Sequence, residues 1–442
     1  MRLWFWLLVA TCGCATESSF ARVDAIVRAS RPREARAGES VPLSTRDAIV
    51  RAAVTHDPGF VARLERARAM VESARADGAL PPPEVNAQMW NVPFSRPWAL
   101  GDAEMYMVEL RQRLPPWGSL DARSRATLAG ADAALAELAS REREVSRRAS
   151  DAWADFMAGA LHHRVHHEHL AVVDQMRDAT TARASVGGGI EALARVELER
   201  ARVLRLLTRF DSDQSRARRV LGVLAGREPA APSELDREAL GQTVAESREA
   251  LEERALSRQR RMIEARSRVA SARASVDAAR AESSHPEFMV GLSGWFNTTQ
   301  HQGYGANVSM TLPWLWGPGR ARVAASEATL AAEEASVREA ELETRAEVVE
   351  AFGRVRGIER ELAEVRADAL PAALRALDAT RARYVAGGAP LIEWLDVARM
   401  RLDLAMDEAD LVVELARAVA ALEEAVGEPL ARVTLDARGS TP

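Results

Sequence analysis

Four landmarks recur in the same order about 200 residues apart, and this duplication constrains the fold more than any other feature of the chain. Leu114-Pro115-Pro116-Trp117-Gly118 is echoed by Leu312-Pro313-Trp314-Leu315-Trp316-Gly317. The helix opening Asp121-Ala122-Arg123-Ser124-Arg125-Ala126 is echoed by Arg320-Ala321-Arg322-Val323-Ala324. Arg183-Ala184-Ser185-Val186-Gly187-Gly188 corresponds to Arg383-Tyr384-Val385-Ala386-Gly387-Gly388, and Gly226-Arg227-Glu228-Pro229 to Gly427-Glu428-Pro429. A unit repeated this way must be built twice. The Pro-rich stretch from Glu228 to Ser233 separates the copies.

Each copy has the same plan. The spacing predicts a first helix over 44–79, opened by Ser44 as N-cap with Asp47 three residues on, broken near Asp57-Pro58 and ended by Pro81-Pro82-Pro83. A long helix follows at 119–185 and a third at 190–224. The second copy repeats them at 234–283, 319–385 and 389–426. Apolar residues at three- and four-residue spacing alternate with Arg and Glu, so these helices must pack side by side. A 65-residue helix at about 1.5 Å per residue would reach roughly 100 Å, more than a compact domain uses. The expected organisation is a signal segment at 1–14, an N-terminal segment at 15–43, a first repeat at 44–228, a second at 229–430 and a tail at 431–442.

Between the first two helices of each copy the period changes from 3.6 to 2. In 84–113, Tyr106, Val108 and Leu110 alternate with Glu109, Arg111 and Arg113. In 287–312, Phe288, Val290, Leu292 and Phe296 share one face, and Tyr304, Val308, Met310 and Leu312 alternate with polar or small residues. Each segment is about as long as a tilted membrane strand, ~10 residues. The segments read as two hairpins with short polar loops at Pro93–Pro97 and Asn297–Gln300. Six of the ten Trp, namely Trp90, Trp98, Trp117, Trp295, Trp314 and Trp316, lie in or beside them, the placement a lipid-headgroup girdle requires. Capping the end of a helical bundle is the plainer role for those Trp. A membrane sheet tolerates no open edge, and four strands cannot close a barrel whose minimum is about eight, so the chain should oligomerise.

Export is also legible. Met1-Arg2, the apolar run Leu3–Ala10 and the small residues after it form a secretory signal too short to span a bilayer. It resembles a lipoprotein signal, with Cys12 or Cys14 as the lipidation site; ordinary cleavage is the alternative. Both cysteines lie there, so no disulfide joins distant parts of the mature chain. Beyond it no window approaches the ~18 apolar residues of a spanning helix. At 47% hydrophobic and 28% charged the chain can bury a core. Its basic residues are all Arg and alternate with Glu, and its net charge of -5 leaves no footprint for nucleic acid.

The ordered set of landmarks resembles the TolC-like outer-membrane efflux proteins over nearly all of the mature length: Leu43-Ser44, Ala48 and Asp57-Pro58, the Leu80-Pro81 exit, the two strand-to-helix corners, and the turns at Val186-Gly187 and Ala386-Gly387. The resemblance implies a mainly α protein with a small membrane β part. Duplicated helical hairpins would form an α-barrel, and four β-strands per protomer would contribute to a 12-stranded barrel in a homotrimer. It implies an outer-membrane location extending into the periplasm. Its partners would be a periplasmic adaptor and an inner-membrane pump such as a resistance-nodulation-division transporter, with the chain as passive exit duct for small molecules or metal ions. An exit duct for type I protein secretion shares the fold, and a periplasmic coiled-coil scaffold without a pore is the rival of another class. The resemblance also implies adaptor docking at the helical tip, where Arg183, Val186 and Gly187 match an Arg-x-x-Val-Gly-like turn; Arg383, Gly387 and Gly388 form the second turn, which departs from that pattern.

Two clusters invite sharper readings. His162 with His166, and His163 with His167, are i, i+4 pairs able to hold a divalent metal, although a solvated helical face is the plainer reading. Glu393 or Asp396, repeated by threefold symmetry, would form an acidic ring at the channel mouth; a helix start complementing its own dipole accounts for them equally simply. No phosphate-binding Gly-rich loop and no Ser or Cys nucleophile with a base is present, so neither an enzyme nor a cofactor is expected.

Overall fold

A computed structural model describes residues 45–185, 189–230, 240–297 and 301–434, with Ala21, Ala25 and Leu43. The expected signal segment with Cys12 and Cys14, the N-cap at Ser44, Val186 and Gly187 of the first turn, and the end of the tail lie outside the described residues. The elements, in chain order, are α1 (Arg46–His56), α2 (Pro58–Asp77), β1 (Glu84–Trp90), β2 (Met105–Leu114), α3 (Ser119–Ala184), α4 (Ile190–Ala225) and β3 (Gln242–Val244). They continue with α5 (Arg248–Arg258), α6 (Arg260–Ser284), β4 (Glu287–Asn297), β5 (Gln302–Thr311), α7 (Gly319–Glu364), a π turn at Val365–Ala369, α8 (Leu370–Val385), α9 (Leu391–Val426) and β6 (Arg432–Thr434).

The chain divides into two compact units, and each draws on both copies of the repeat. The described residues of the first come from Ala62–Leu138 and Arg261–Ala340; those of the second come from 45–61, Ala139–Arg260 and Glu341 onward. In the first unit the helices pack through alternating three- and four-residue seams, Leu64, Ala67, Val71 and Ala74 on α2 and Met262, Ala265, Val269, Ala272 and Val276 on α6. Alanine at these positions lets backbones approach closely, and Ser124 on α3 donates across to the Ala74 carbonyl at 2.8 Å. Ion pairs line the outside, Arg123 with Glu282 at 2.5 Å and Arg280 with Glu327 at 2.6 Å. Above these helices β1, β2, β4 and β5 form one antiparallel sheet in the order β1-β2-β4-β5. The two expected hairpins are therefore one sheet, joined where Leu110 stands opposite Leu292. The connection between β1 and β2 is longer than the short loop expected, running from Asn91 to Glu104 with a 3-10 turn at Leu100–Asp102.

In the second unit α1 is capped by Thr45, whose side chain accepts from the Ala48 amide; the cap is one residue later than the Ser44 spacing suggested. Pro58 then ends α1 as expected, because it forces Asp57 out of the helical region, to φ -73 and ψ 115. Asp57 restarts the chain as a cap: its carboxylate accepts from the Phe60 amide at 2.7 Å and from Arg141 at 2.8 and 2.9 Å. The helix start expected at 234 lies outside the described residues; among those described, α5 begins at Arg248, capped by Ser247. Just before it, β3 pairs antiparallel with β6. Buried Glu359 fixes that small sheet, accepting from Thr243 and from Arg356, which also donates to the Val244 carbonyl at 3.0 Å. The main core gathers Ile49, Trp153, Met157, Leu221, Leu251, Leu362, Leu415 and Leu422. A separate cluster of Val173, Met176, Val196, Tyr384, Trp394 and Leu395 closes the end of the helical hairpins α3–α4 and α8–α9.

Candidate functional site

The four-stranded sheet has two chemically opposite faces, and its register decides this. Val85 pairs with Leu110, Ala87 with Val108 and Met89 with Tyr106. Leu110 pairs with Leu292 and Tyr106 with Phe296. Val290 pairs with Val308 and Phe288 with Met310. Because side chains alternate across a strand, all of these stand on one side. That side is apolar and open, with Val85 72% exposed and Tyr304 88% exposed. The other side carries Glu84, Asn86, Gln88, Glu109, Arg111, Arg113, Ser293, Asn307 and Ser309. There Glu109, only 2% exposed, accepts from Arg111 at 2.6 Å and from Asn307 at 2.7 Å, and Arg113 pairs with Glu287 at 2.9 Å. A protein in water buries its apolar face; this sheet leaves that face open and encloses Glu109 on the other.

The same parity corrects two of the six girdle tryptophans. Trp90 pairs with Met105 and donates to Gln88 at 3.2 Å, so it stands on the polar face. Trp295 is there too, lying across Gly303, where any Cβ would meet its ring within 2.5 Å. Counting aromatics near strand ends ignored which way alternate residues point. Trp98, Trp117, Trp314 and Trp316 lie beyond the strand ends and are exposed, Trp98 at the loop end and the other three at the helix end.

The helical tip in the second unit is built differently. Tyr384 and Trp394 pack with ring centroids 5.3 Å apart, and the Tyr384 hydroxyl hydrogen-bonds to buried Thr180 at 3.0 Å. Arg183 from the first hairpin stacks on Tyr384, its guanidinium carbon 4.5 Å from the ring centre. The second turn reverses through Gly387 at φ +82, a conformation that disfavours a Cβ, while the Gly388 amide donates to the Arg383 carbonyl at 2.8 Å. Arg383 then reaches forward to Glu393 at 3.2 Å and to the Gly388 carbonyl at 3.3 Å. Arg183, Arg383, Gly387 and Gly388 are thus brought together. Glu393 is tied to Arg383, and exposed Asp396 lies 4.0 Å from Arg399. Sequence reasoning missed Thr180, Tyr384 and Trp394, although an aromatic pair flanking a Gly-Gly turn was the available signal.

The outer membrane efflux protein family matches residues 251–428. No curated relative matches the chain in sequence. Among solved structures, the outer-membrane channel OprN is 19% identical with a TM-score of 0.68, over 91% of this chain and 95% of its own. CusC, whose structures follow folding and transmembrane channel formation, is 15% identical with a TM-score of 0.72, over 87% and 92%. VceC, an outer membrane protein of Vibrio cholerae, is 16% identical with a TM-score of 0.69, over 87% and 96%. The chain has the TolC-like outer-membrane efflux protein fold.

Within this TolC-like fold the histidine run does not gather into a metal centre. His162 lies 2.7 Å from Asp410 on α9 and edge-on to Phe210, while His166 is buried against the same ring at 4.9 Å, its Nδ1 without a partner. Burial, and then the charge of His162, lowers the pKa of His166. His163 faces Asp211 at 3.4 Å and stacks loosely on His167. No group of three or more metal-binding side chains forms among the described residues. Each pair shares a helix face as its spacing required; α4 and α9 cover the face of His162 and His166, whereas His167 is exposed.

One residue further, a buried polar group went unnoticed. Glu199 occupies a core position of α4 between Val196 and Val203, and accepts from Arg399 at 2.5 Å. Burial raises its pKa, but the hydrogen bond and charge of Arg399 outweigh this and hold it below the usual carboxylate value. His169, fully enclosed, stands 3.9 Å from the same carboxylate, too far for a hydrogen bond, and burial pushes its pKa down to about 4. A carboxylate at an apolar helical position was the readable sign.

Proposed function

We propose that the chain is the outer-membrane component of a tripartite efflux system, a passive exit duct for small solutes across the periplasm and outer membrane. The observation that carries the proposal is the sheet whose apolar face is open and whose polar face holds a buried Glu109. Lipid is the solvent that such an apolar face fits. The sheet ends in two free edges, β1 and β5, which hydrocarbon does not tolerate. Three copies joined edge to edge supply twelve strands and close the barrel, with the polar faces lining the lumen. Exposed Trp98 at one end and Trp117, Trp314 and Trp316 at the other then sit at headgroup depth. No helix of the described residues is long and apolar enough to cross a membrane.

The tip is the surface for a periplasmic adaptor, through which an inner-membrane pump such as a resistance-nodulation-division transporter supplies the energy. Arg183, stacked on Tyr384, ties the end of one hairpin to the other, so opening an aperture there requires that stack to part. Glu393 and Asp396 form the acidic ring of that aperture once three copies assemble, and the duct itself performs no chemistry. A pore-free scaffold has no use for the open apolar face. The decisive experiment is membrane fractionation followed by cross-linking and mass determination in detergent. A trimer in the outer membrane is the expected result; a soluble periplasmic monomer overturns the proposal.

A further inference from the structure

The second unit encloses a cavity of about 840 Å3 between α1, α3, the start of α6 and the end of α9, a volume typical of sites for drug-sized ligands. Six arginines and five carboxylates line it, but they are not evenly matched. Glu423 is held by both Arg46 at 3.2 Å and Arg432 at 2.9 Å, and Glu424 is paired with Arg147 at 3.1 Å. Glu428 is taken by Arg254 at 2.6 Å, from outside the lining. Of the rest, Arg51, Asp47 and Glu142 are exposed to solvent, which leaves Arg143 and Arg260. Neither has an ion pair among the described residues: Arg143 reaches only the Ser140 hydroxyl at 3.4 Å, and the Arg260 Nε is buried without any acceptor.

Their placement is costly. Burial first, and then the positive charge of Arg260, holds Arg143 below the ordinary arginine value, and the charges of Glu424 and Glu142 offset this only in part. Two like charges in a partly desolvated cavity, one with an orphaned donor, are what a bound anion would offset. The rest of the lining is mixed, with Val50, Trp153 and Leu430 supplying apolar surface and Ser146, Ser150 and Gln242 polar groups. We infer that this cavity binds an amphipathic organic anion, its carboxylate, sulfonate or phosphate group on Arg143 and Arg260 and its apolar body against Trp153 and Leu430.

The test is isothermal titration of 1-naphthalenesulfonate into the full chain in uncharged detergent. The expected result is one site per chain, weakened at least tenfold by Arg143→Gln and by Arg260→Gln, restored in part by Arg143→Lys, and unchanged by Arg148→Gln, which lies outside the lining. Neither arginine has an ion pair to lose, so the variants should melt as the parent does. Equal binding of neutral 1-naphthalenemethanol, equal binding by the Gln variants, or no saturable binding overturns the inference. A competition arm separates the sources of such an anion: displacement by phosphatidylglycerol in mixed micelles assigns the site to a lipid headgroup, and its failure while the sulfonate binds assigns it to a water-soluble acid.

Discussion

The sheet and the tip solve opposite problems with the same alphabet. At the tip the aromatic residues Tyr384 and Trp394 are buried and the arginines lie outside them, as a protein surrounded by water requires. In the sheet Val85, Leu292 and Tyr304 face outward and Glu109 is hidden. The tip is largely finished within one chain, the Tyr384 hydroxyl and the turn amides each meeting a partner nearby, although the buried Trp394 Nε1 has no hydrogen-bond acceptor among the described residues. The sheet is unfinished, since neither its apolar face nor its two edges find a counterpart among the described residues. A region that completes itself responds to mutation by losing packing energy, and one that waits for lipid and for copies responds by failing to assemble.

That contrast can be broken from either side. The largest expected effect is at the tip: Trp394 is 1% exposed, and Trp394→Ala should cost about 3–5 kcal/mol. Its melting temperature by circular dichroism should fall while the assembled fraction in membranes at low temperature is retained; an unchanged melt would show that the aromatic cluster is not a core. In the sheet, Leu292→Arg places a charge on the open face and should cost ~2–4 kcal/mol in a bilayer. Its neighbour Ser293→Arg points to the other side and should be tolerated. The amount of detergent-resistant oligomer in outer-membrane fractions reads the difference, and equal outcomes for the two variants would mean the faces have been misassigned.

The third and smallest effect is a pH dependence confined to the helical unit. His169 is held neutral down to about pH 4, whereas an unfolded histidine takes up its proton near pH 6.5. The unfolded chain therefore binds the extra proton between these values, so stability is complete above about pH 6.5 and declines as pH falls toward 4, by about 3 kcal/mol at most. Glu199 on α4 adds to the loss in the same direction, because its lowered pKa also favours the folded state only while it is ionised. Arg399 and Arg401 on α9, Arg202 on α4 and His166 on α3 are the other charged or titratable groups around this pair. Unfolding measured at pH 7.5 and pH 5 should show the decline, and His169→Leu should flatten it; a parent protein equally stable at both values would contradict the buried assignment.

Much of this architecture was legible because it rests on local periodicity. The long helices and the break at Asp57-Pro58 follow from apolar spacing and from proline's missing amide. The strands were legible for the same reason, since the alternation of Tyr106, Val108 and Leu110 with charged residues splits cleanly between the two faces of a strand and would scatter around a helix. What the sequence could not supply was the long-range part. The pairing of β2 with β4 joins residues almost two hundred positions apart, and β3 with β6 joins two three-residue strands too short to carry a pattern. Trp90 and Trp295 were placed by proximity rather than by parity. The histidine pairs share helix faces as their spacing implies, but whether Phe210 and Asp410 would cover that of His162 and His166 depended on how α4 and α9 pack.

The two open sheet edges have a genetic consequence. In a ring of three identical chains, the β1 edge of each copy would be satisfied only by the β5 edge of the next, a head-to-tail match between unlike surfaces. Every substitution on either edge would then be presented three times in one closed ring, and a single copy with a damaged edge would open one seam in a ring that must be closed everywhere. Alleles that damage an edge should therefore be dominant over the normal gene, whereas alleles that weaken the tip core, whose loss stays within its own chain, should be recessive.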